Sequence, residues 1–252
     1  MNIVIIGTLD TKGPEVGFLR DEVLKQGYKP LVIDAGILGT AAIAADVTRE
    51  QVARASGHEL ADLIATGDKH LCQGAMIEGV VTIVSGLHDE RQVDGVLAVG
   101  GAQGTAMATA AMRALPIGIP KVMVSTVACG QTPFGPYVGT KDITMIHSVA
   151  DILGLNRVTK RILAQAAAAA TAMARIGPQE EVAGAKLVAI TQAGITTPGV
   201  MAIKKRLEGM GFEVIAFHCN GIGGQAMEEL ILDSMVSGVI DFSPHEITDL
   251  LF

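Results

Sequence analysis

The residues best suited to chemistry stand in short glycine-rich or polar segments that follow apolar runs. The sharpest is Val99-Gly100-Gly101-Ala102-Gln103-Gly104-Thr105, a strand running through glycines into a helix. Glycines let the backbone approach an anion closely, and the free N–H groups of a helix start attract negative charge. The spacing is neither that of the P-loop nor that of the G-x-G-x-x-G fingerprint. Alone it predicts an anion at a helix N-terminus or a structural tight turn. In a second segment, Gly7-Thr8-Leu9-Asp10-Thr11-Lys12-Gly13, the lysine is placed to neutralise a phosphate and Asp10 to hold a metal or a ribose hydroxyl. The plainer account of Lys12 is a solvated residue beside a helix cap. A third segment, Ser125-Thr126-Val127-Ala128-Cys129-Gly130, offers hydroxyls to a phosphate or a carboxylate. Together these segments predict a nucleotide or phosphate site built from Gly7, Thr8, Lys12, Asp34, Gly100, Gly101, Ala102, Gln103, Gly104, Thr105, Ser125 and Thr126.

A separate polar group gathers near the end of the chain. Thr196-Thr197 opens one helix, His218 ends a strand before Cys219-Asn220-Gly221, and Asp241-Phe242-Ser243-Pro244-His245-Glu246 follows another strand. His218, Asp241, His245 and Glu246 are residue types that bind a metal or act as acid and base. They are expected to face one crevice from two adjacent strand ends, with His218, Asp241 and Glu246 the catalytic candidates. Each is equally at home as a helix cap or a lone polar residue. Cys129 as a nucleophile needs a base and a lowered pKa, so a small buried thiol is the simpler account. Asp142 and Asp151 suit a metal, a surface position or a helix cap.

These groups must be carried by strands and helices. Ile3 to Ile6 is a short apolar run ending at Gly7, and Thr11 or Asp10 is placed to cap the helix that follows. Pro14 suits its first turn, Gly27 stops it, and Leu31-Val32-Ile33 leads to Asp34. The unit recurs as Leu187 to Ile190, a helix from Pro198 to Gly211, and Val214 to His218. Pro14 to Gly27 and Pro198 to Gly211 both span 13 positions, which fits either a duplication or the common rhythm of β-α-β units. Between them lie helices over 71–87 and 104–115, strands over 95–99, 121–124 and 143–146, and a long alanine-rich helix over 157–175. The predicted architecture is α/β: two Rossmann-like doubly wound parallel sheets, a domain over 1–178 and the N-terminal part of a second over 185–252. The second is expected to be incomplete, with Val239-Ile240 near a raw sheet edge and the remainder supplied by another chain or cut away. The small residues of 164–175 predict a close contact and a homo-oligomer.

Composition excludes several classes. Of 252 residues, 18% are charged and the net charge is -7, against a general nucleic-acid binder, which needs a basic stripe. Three cysteines without a CxxC pair exclude a disulfide framework and a cysteine-rich zinc site. The N-terminus lacks a basic leader and no apolar run reaches about 18 residues, so a cytoplasmic chain without a membrane partner is expected.

Several motifs resemble one family. Gly-Thr-Leu-Asp-Thr-Lys at 7–12, Gly-Gly-Ala-Gln-Gly-Thr at 100–105, Leu-Pro-Ile-Gly-Ile-Pro-Lys-Val at 115–122 and Ser-Thr-Val-Ala at 125–128 are similar to the ATP-binding family named after the tomato mosaic virus resistance protein. So are Ser-Val-Ala-Asp-Ile-Leu-Gly-Leu-Asn at 148–156, Gly194 to Pro198 and Gly223 to Glu228. The resemblance runs through the whole chain, in order. It implies two α/β domains with ATP and a divalent ion (magnesium) in the first, where Lys12 and Gly101 to Thr105 would contact the phosphates. Cys129 stands where that family usually has Ser, Thr132 to Pro136 looks lengthened, and relatives continue beyond Phe252. The expected function is therefore ATP binding, coupled to action on an unidentified small-molecule substrate. A non-catalytic, ATP-regulated protein-binding module is the alternative. A dinucleotide-dependent oxidoreductase is a weaker one, because Asp34 follows a different glycine loop from Gly100 to Thr105.

Overall fold

A computed structural model describes residues 1–130, 132–176 and 186–244. The chain forms two compact units, Met1–Gly177 and Pro178–Phe252. In the first, strands β1 (Asn2–Gly7), β2 (Lys29–Asp34), β3 (Gly95–Gly100), β4 (Lys121–Ser125) and β5 (Ile143–His147) form one sheet in the order β2-β1-β3-β4-β5. Every pairing is parallel. The order reverses between β1 and β3, and in such sheets that switch point opens the ligand crevice at the strand C-termini.

Alternation along the strands assigns the two faces. Val4 and Ile6 pack with α2 (Arg49–Ala55), α3 (Leu60–Ala65), α4 (Lys69–Asp89) and α5 (Ala102–Arg113), through residues such as Val52, Leu63, Met76 and Met112. Ile3 and Ile5 pack on the other face with α1 (Leu9–Lys25) and α7 (Arg157–Ala174), through Val16, Leu19 and Leu163. A single-turn α6 (Gly135–Val138) precedes β5. Adjacent side chains therefore reach different layers and those two apart share one, as the pleat requires.

Helix α4 is long and apolar enough by length and composition to cross a membrane. Its Met76, Val80 and Val84 are nevertheless fully buried in the first unit's core. Ala166, Ala167 and Ala170 of α7 are likewise buried in that unit, packed against the sheet on the α1 side.

The α1 start differs from expectation. Thr8 is the N-cap but its side chain caps no backbone N–H, and Lys12 (φ -125, ψ 17) breaks the helix into two. Neither Asp10 nor Thr11 caps it: Thr11 shares its hydroxyl with Thr8 at 2.8 Å, and Asp10 turns to another loop. Pro14 consequently lies in the first turn of the regular portion. Gly27 (φ +82) ends the helix, and Gly211 (φ +87) does so in the second unit, both in the left-handed region that favours glycine.

The second unit holds β6 (Leu187–Gln192), a 3-10 turn over Gly194–Thr196, α8 (Thr197–Glu208), β7 (Glu213–His218), α9 (Ile222–Leu232) and β8 (Gly238–Ile240). Its strands are parallel in the order β7-β6-β8. Ile190, Val200 and Val214 form its core with Ile203, Leu207 and Ile240.

Candidate functional site

At the β1/β3 switch point the first unit has a cavity of about 440 Å³, within the range of small-molecule sites. The loop after β1 contributes Thr8, Asp10, Thr11 and Lys12, and the start of α5 contributes Gly101, Ala102, Gln103 and Gly104. Ala35, Ile37, Leu38 and Met107 supply apolar lining, while Lys69 and Gln73 enter from α4.

The start of α5 is shaped for an anion. Gly101 is the N-cap and offers no side-chain bond, and the first turn contains no acid. The first intrahelical bond runs from the Thr105 N–H to the Gly101 carbonyl at 2.8 Å. The amides of Ala102, Gln103 and Gly104 precede it and have no partner within the helix. Gly100 allows this tight entry: a Cβ there would lie 2.9 Å from the Gly104 Cα.

Two aspartates fix the loop after β2. Asp34 is buried, and its Oδ1 accepts the N–H groups of Leu9 at 3.0 Å and Gly36 at 2.9 Å. Burial raises its pKa above the ordinary carboxylate value, with the charge of Asp10 adding to the rise; the two amides and Arg49 oppose it. Asp10 accepts Leu38 N–H at 2.7 Å and Gly39 N–H at 3.3 Å through Oδ2. Its Oδ1 is buried and has no hydrogen-bond partner.

The predicted nucleotide residues thus divide. Thr8, Lys12, Gly101, Ala102, Gln103 and Gly104 line the cavity. Gly7 is buried beneath it, its carbonyl accepting the Ala35 N–H at 2.9 Å, and Asp34 braces the loops. Thr105 and Ser125 are fully buried and bond each other at 2.6 Å, and Ser125 Oγ also accepts the Val127 N–H at 3.1 Å. Thr126 donates its N–H to the Gly100 carbonyl at 3.3 Å. The Lys12 amine donates to the Ile152 carbonyl. Lys69 and Gln73 were not singled out from the sequence. The signal they gave was a lysine in the first turn of a helix and a glutamine one turn later on the same face.

The second unit corrects one expectation. His218 ends β7 and Asp241 follows β8, but β6 lies between those strands, so their ends are not adjacent. Two strand spacings, roughly 9–10 Å of backbone, separate them. Asp241 instead accepts the Thr191 hydroxyl at 2.7 Å, and Thr191 Oγ1 accepts the Ser243 N–H at 2.8 Å. The hydroxyls of Thr196 and Ser243 meet at 2.8 Å. His245 and Glu246 lie outside the described residues.

Among the described residues no group of three or more His, Cys, Asp or Glu is placed to hold a metal ion. Asp142 pairs with the buried amine of Lys121 at 2.7 Å, and Asp151 accepts the Ile152 N–H at 2.8 Å. Cys129 Sγ lies 3.5 Å from the Thr132 hydroxyl.

Fold and crevice define a class: a parallel α/β protein with two Rossmann-like sheets and a cavity at the switch point of the first. The chain belongs to the uncharacterised protein family UPF0261, whose N-terminal domain matches residues 1–179 and whose C-terminal domain matches residues 185–252. It is 44% identical over 248 residues to a UPF0261 protein of Clostridium tetani, covering 98% of this chain and 61% of that one. With a Rhizobium meliloti UPF0261 protein it shares 41% identity over 250 residues, covering 99% and 61%. The chain thus spans about three fifths of the length of these relatives. The tomato ToMV resistance protein Tm-1(GCR237) is 42% identical over 179 residues, covering 69% of this chain and 24% of that protein.

Proposed function

We propose that the first unit is a cytoplasmic nucleotide-binding domain that takes ATP in the β1/β3 crevice. The observation that carries this reading is the uncapped α5 N-terminus opening into a cavity of about 440 Å³ with a lysine of α4 beside it. Backbone amides and an ammonium group suit phosphate oxygens, and Ile37, Leu38 and Met107 suit the flat apolar part of a nucleotide. Magnesium would enter with the phosphates and offset their charge. Asp10 fits it to the extent of one carboxylate oxygen without a hydrogen-bond partner, since magnesium is commonly bound through one or two carboxylates, phosphates and water. The second unit's polar strand ends, Thr191, Thr196, His218 and Asp241, are the groups proposed for a small-molecule substrate.

Titration calorimetry with Mg-ATP on the whole chain tests the reading. Saturable heat with one site per chain is expected. No heat at high concentration, from a sample shown to be folded, would end it.

A further inference from the structure

We infer that Lys69, with Gln73 beside it, recognises the phosphate charge of the ligand, while Lys12 positions a loop; the inference rests on the nucleotide reading above. Both lysines line the cavity, but only one has a free ammonium. The Lys12 amine donates to the Ile152 carbonyl, and one turn further along α1 the buried Glu15 accepts the Gly154 N–H at 2.7 Å. These two side chains clamp the segment after β5 to α1. Lys69 is exposed and makes no ion pair among the described residues.

Its place in the helix is also informative. Lys69 is the first residue of α4, after the N-cap Asp68, and no acid follows in the first turn. A cation there opposes the helix dipole, which favours negative groups at this end. A residue that breaks a local rule without a structural partner is what a binding role produces. Gln73 lies four residues on, on the same helical face, and lines the same cavity. Helices α4 and α5 pack in the same core layer, so Lys69 and the free amides of Ala102, Gln103 and Gly104 serve one polyanion. The ligand class is a nucleoside di- or triphosphate whose affinity depends on its phosphates.

The test is an affinity ladder for ATP, ADP, AMP and adenosine, each with magnesium, on the whole chain. The wild type should bind ATP most tightly and adenosine least. Lys69→Ala should weaken ATP about tenfold to a hundredfold, the range for one charge-assisted contact, and leave adenosine within about twofold. Lys69→Arg should restore most of the ladder. Lys29→Ala, an exposed lysine at the opposite end of the sheet, should leave it unchanged. Unaltered thermal melts would show each variant folded. An ATP-to-adenosine ratio unchanged in folded Lys69→Ala overturns the inference, as does a ladder flattened by Lys12→Ala but not by Lys69→Ala. In both cases nucleotide binding stands. A wild type that binds none of the four removes the nucleotide reading, and this inference with it.

Discussion

The carboxylate of Asp34, at the end of β2, accepts the backbone N–H of Leu9 at the start of α1, 3.0 Å away. The same oxygen holds the Gly36 N–H, so one buried side chain ties the β1–α1 turn to the loop after β2. Asp34→Ala leaves two buried amides without acceptors and should cost about 2–6 kcal/mol, at about 1–3 per group. Asp34→Asn keeps an acceptor oxygen and removes a buried charge. The Asp34 pKa is raised, chiefly by burial, so the folded state holds its proton to higher pH than the unfolded chain. Its contribution is full below the ordinary value and declines as pH rises through the raised one. Urea melts across that interval should show the variant gaining on the wild type as pH rises, then a constant difference.

The Thr105–Ser125 contact predicts a stability effect where a ligand contact was expected. Ser125→Ala leaves the fully buried Thr105 hydroxyl and the half-buried Val127 N–H without their shared partner. The expected loss is about 1–3 kcal/mol, read by denaturant midpoint. ATP affinity of the folded variant should change by less than about threefold, the scale of 0.6 kcal/mol.

Lys121 and Asp142 pin the far end of the sheet. The amine, fully buried, donates to the Pro116 and Ile119 carbonyls at 2.7 and 2.9 Å and to Asp142 at 2.7 Å. Burial pushes the Lys121 pKa down, against the pull of Asp142. For Asp142 burial acts upward, but Lys121 and the Gly118 N–H outweigh it and the pKa is lowered. Its stabilisation is present above the ordinary carboxylate value and is lost as pH falls through the depressed one. Asp142→Asn should therefore flatten the acid limb of the stability curve. At neutral pH it should cost about 1–2 kcal/mol, less than a fully buried pair, because the carboxylate is 40% exposed and two carbonyls remain on the amine.

Much of the architecture is legible because it rests on local rules. Ile3 to Ile6 alternates between two core layers, and Gly27 and Gly211 stop their helices at positive φ. The glycine segment at 100–104 enters α5 as its spacing implied. What stayed illegible depends on strand order and side-chain direction. His218 and Asp241 both follow strands, yet nothing in their neighbourhood reveals that β6 lies between those strands. Ser125 and Thr105 sit at strand and helix ends as ligand contacts would, but turn inward to each other. Lys69 reaches the crevice only because α4 packs beside α5 in the same core layer.

The glycine at the end of β3 gives the most direct link between backbone packing and the crevice. A Cβ at Gly100 would lie 2.9 Å from the Gly104 Cα and 3.0 Å from its carbonyl carbon, both backbone atoms of the first turn of α5. That turn cannot yield by rotating a side chain, so the helix start itself must shift. Gly100→Ala should cost about 1–3 kcal/mol, as overpacking does, and should also weaken ATP because the free amides are displaced together. Gly86→Ala in α4 is the contrast: its Cβ meets nothing within 4 Å. Replacing glycine by alanine inside a helix there should stabilise by about 0.5–1 kcal/mol and leave affinity unchanged. Thermal melts and ATP titrations of the two variants should therefore move in different ways. If Gly100→Ala lost stability yet bound ATP as the wild type does, the α5 N-terminus would not be where the phosphates sit.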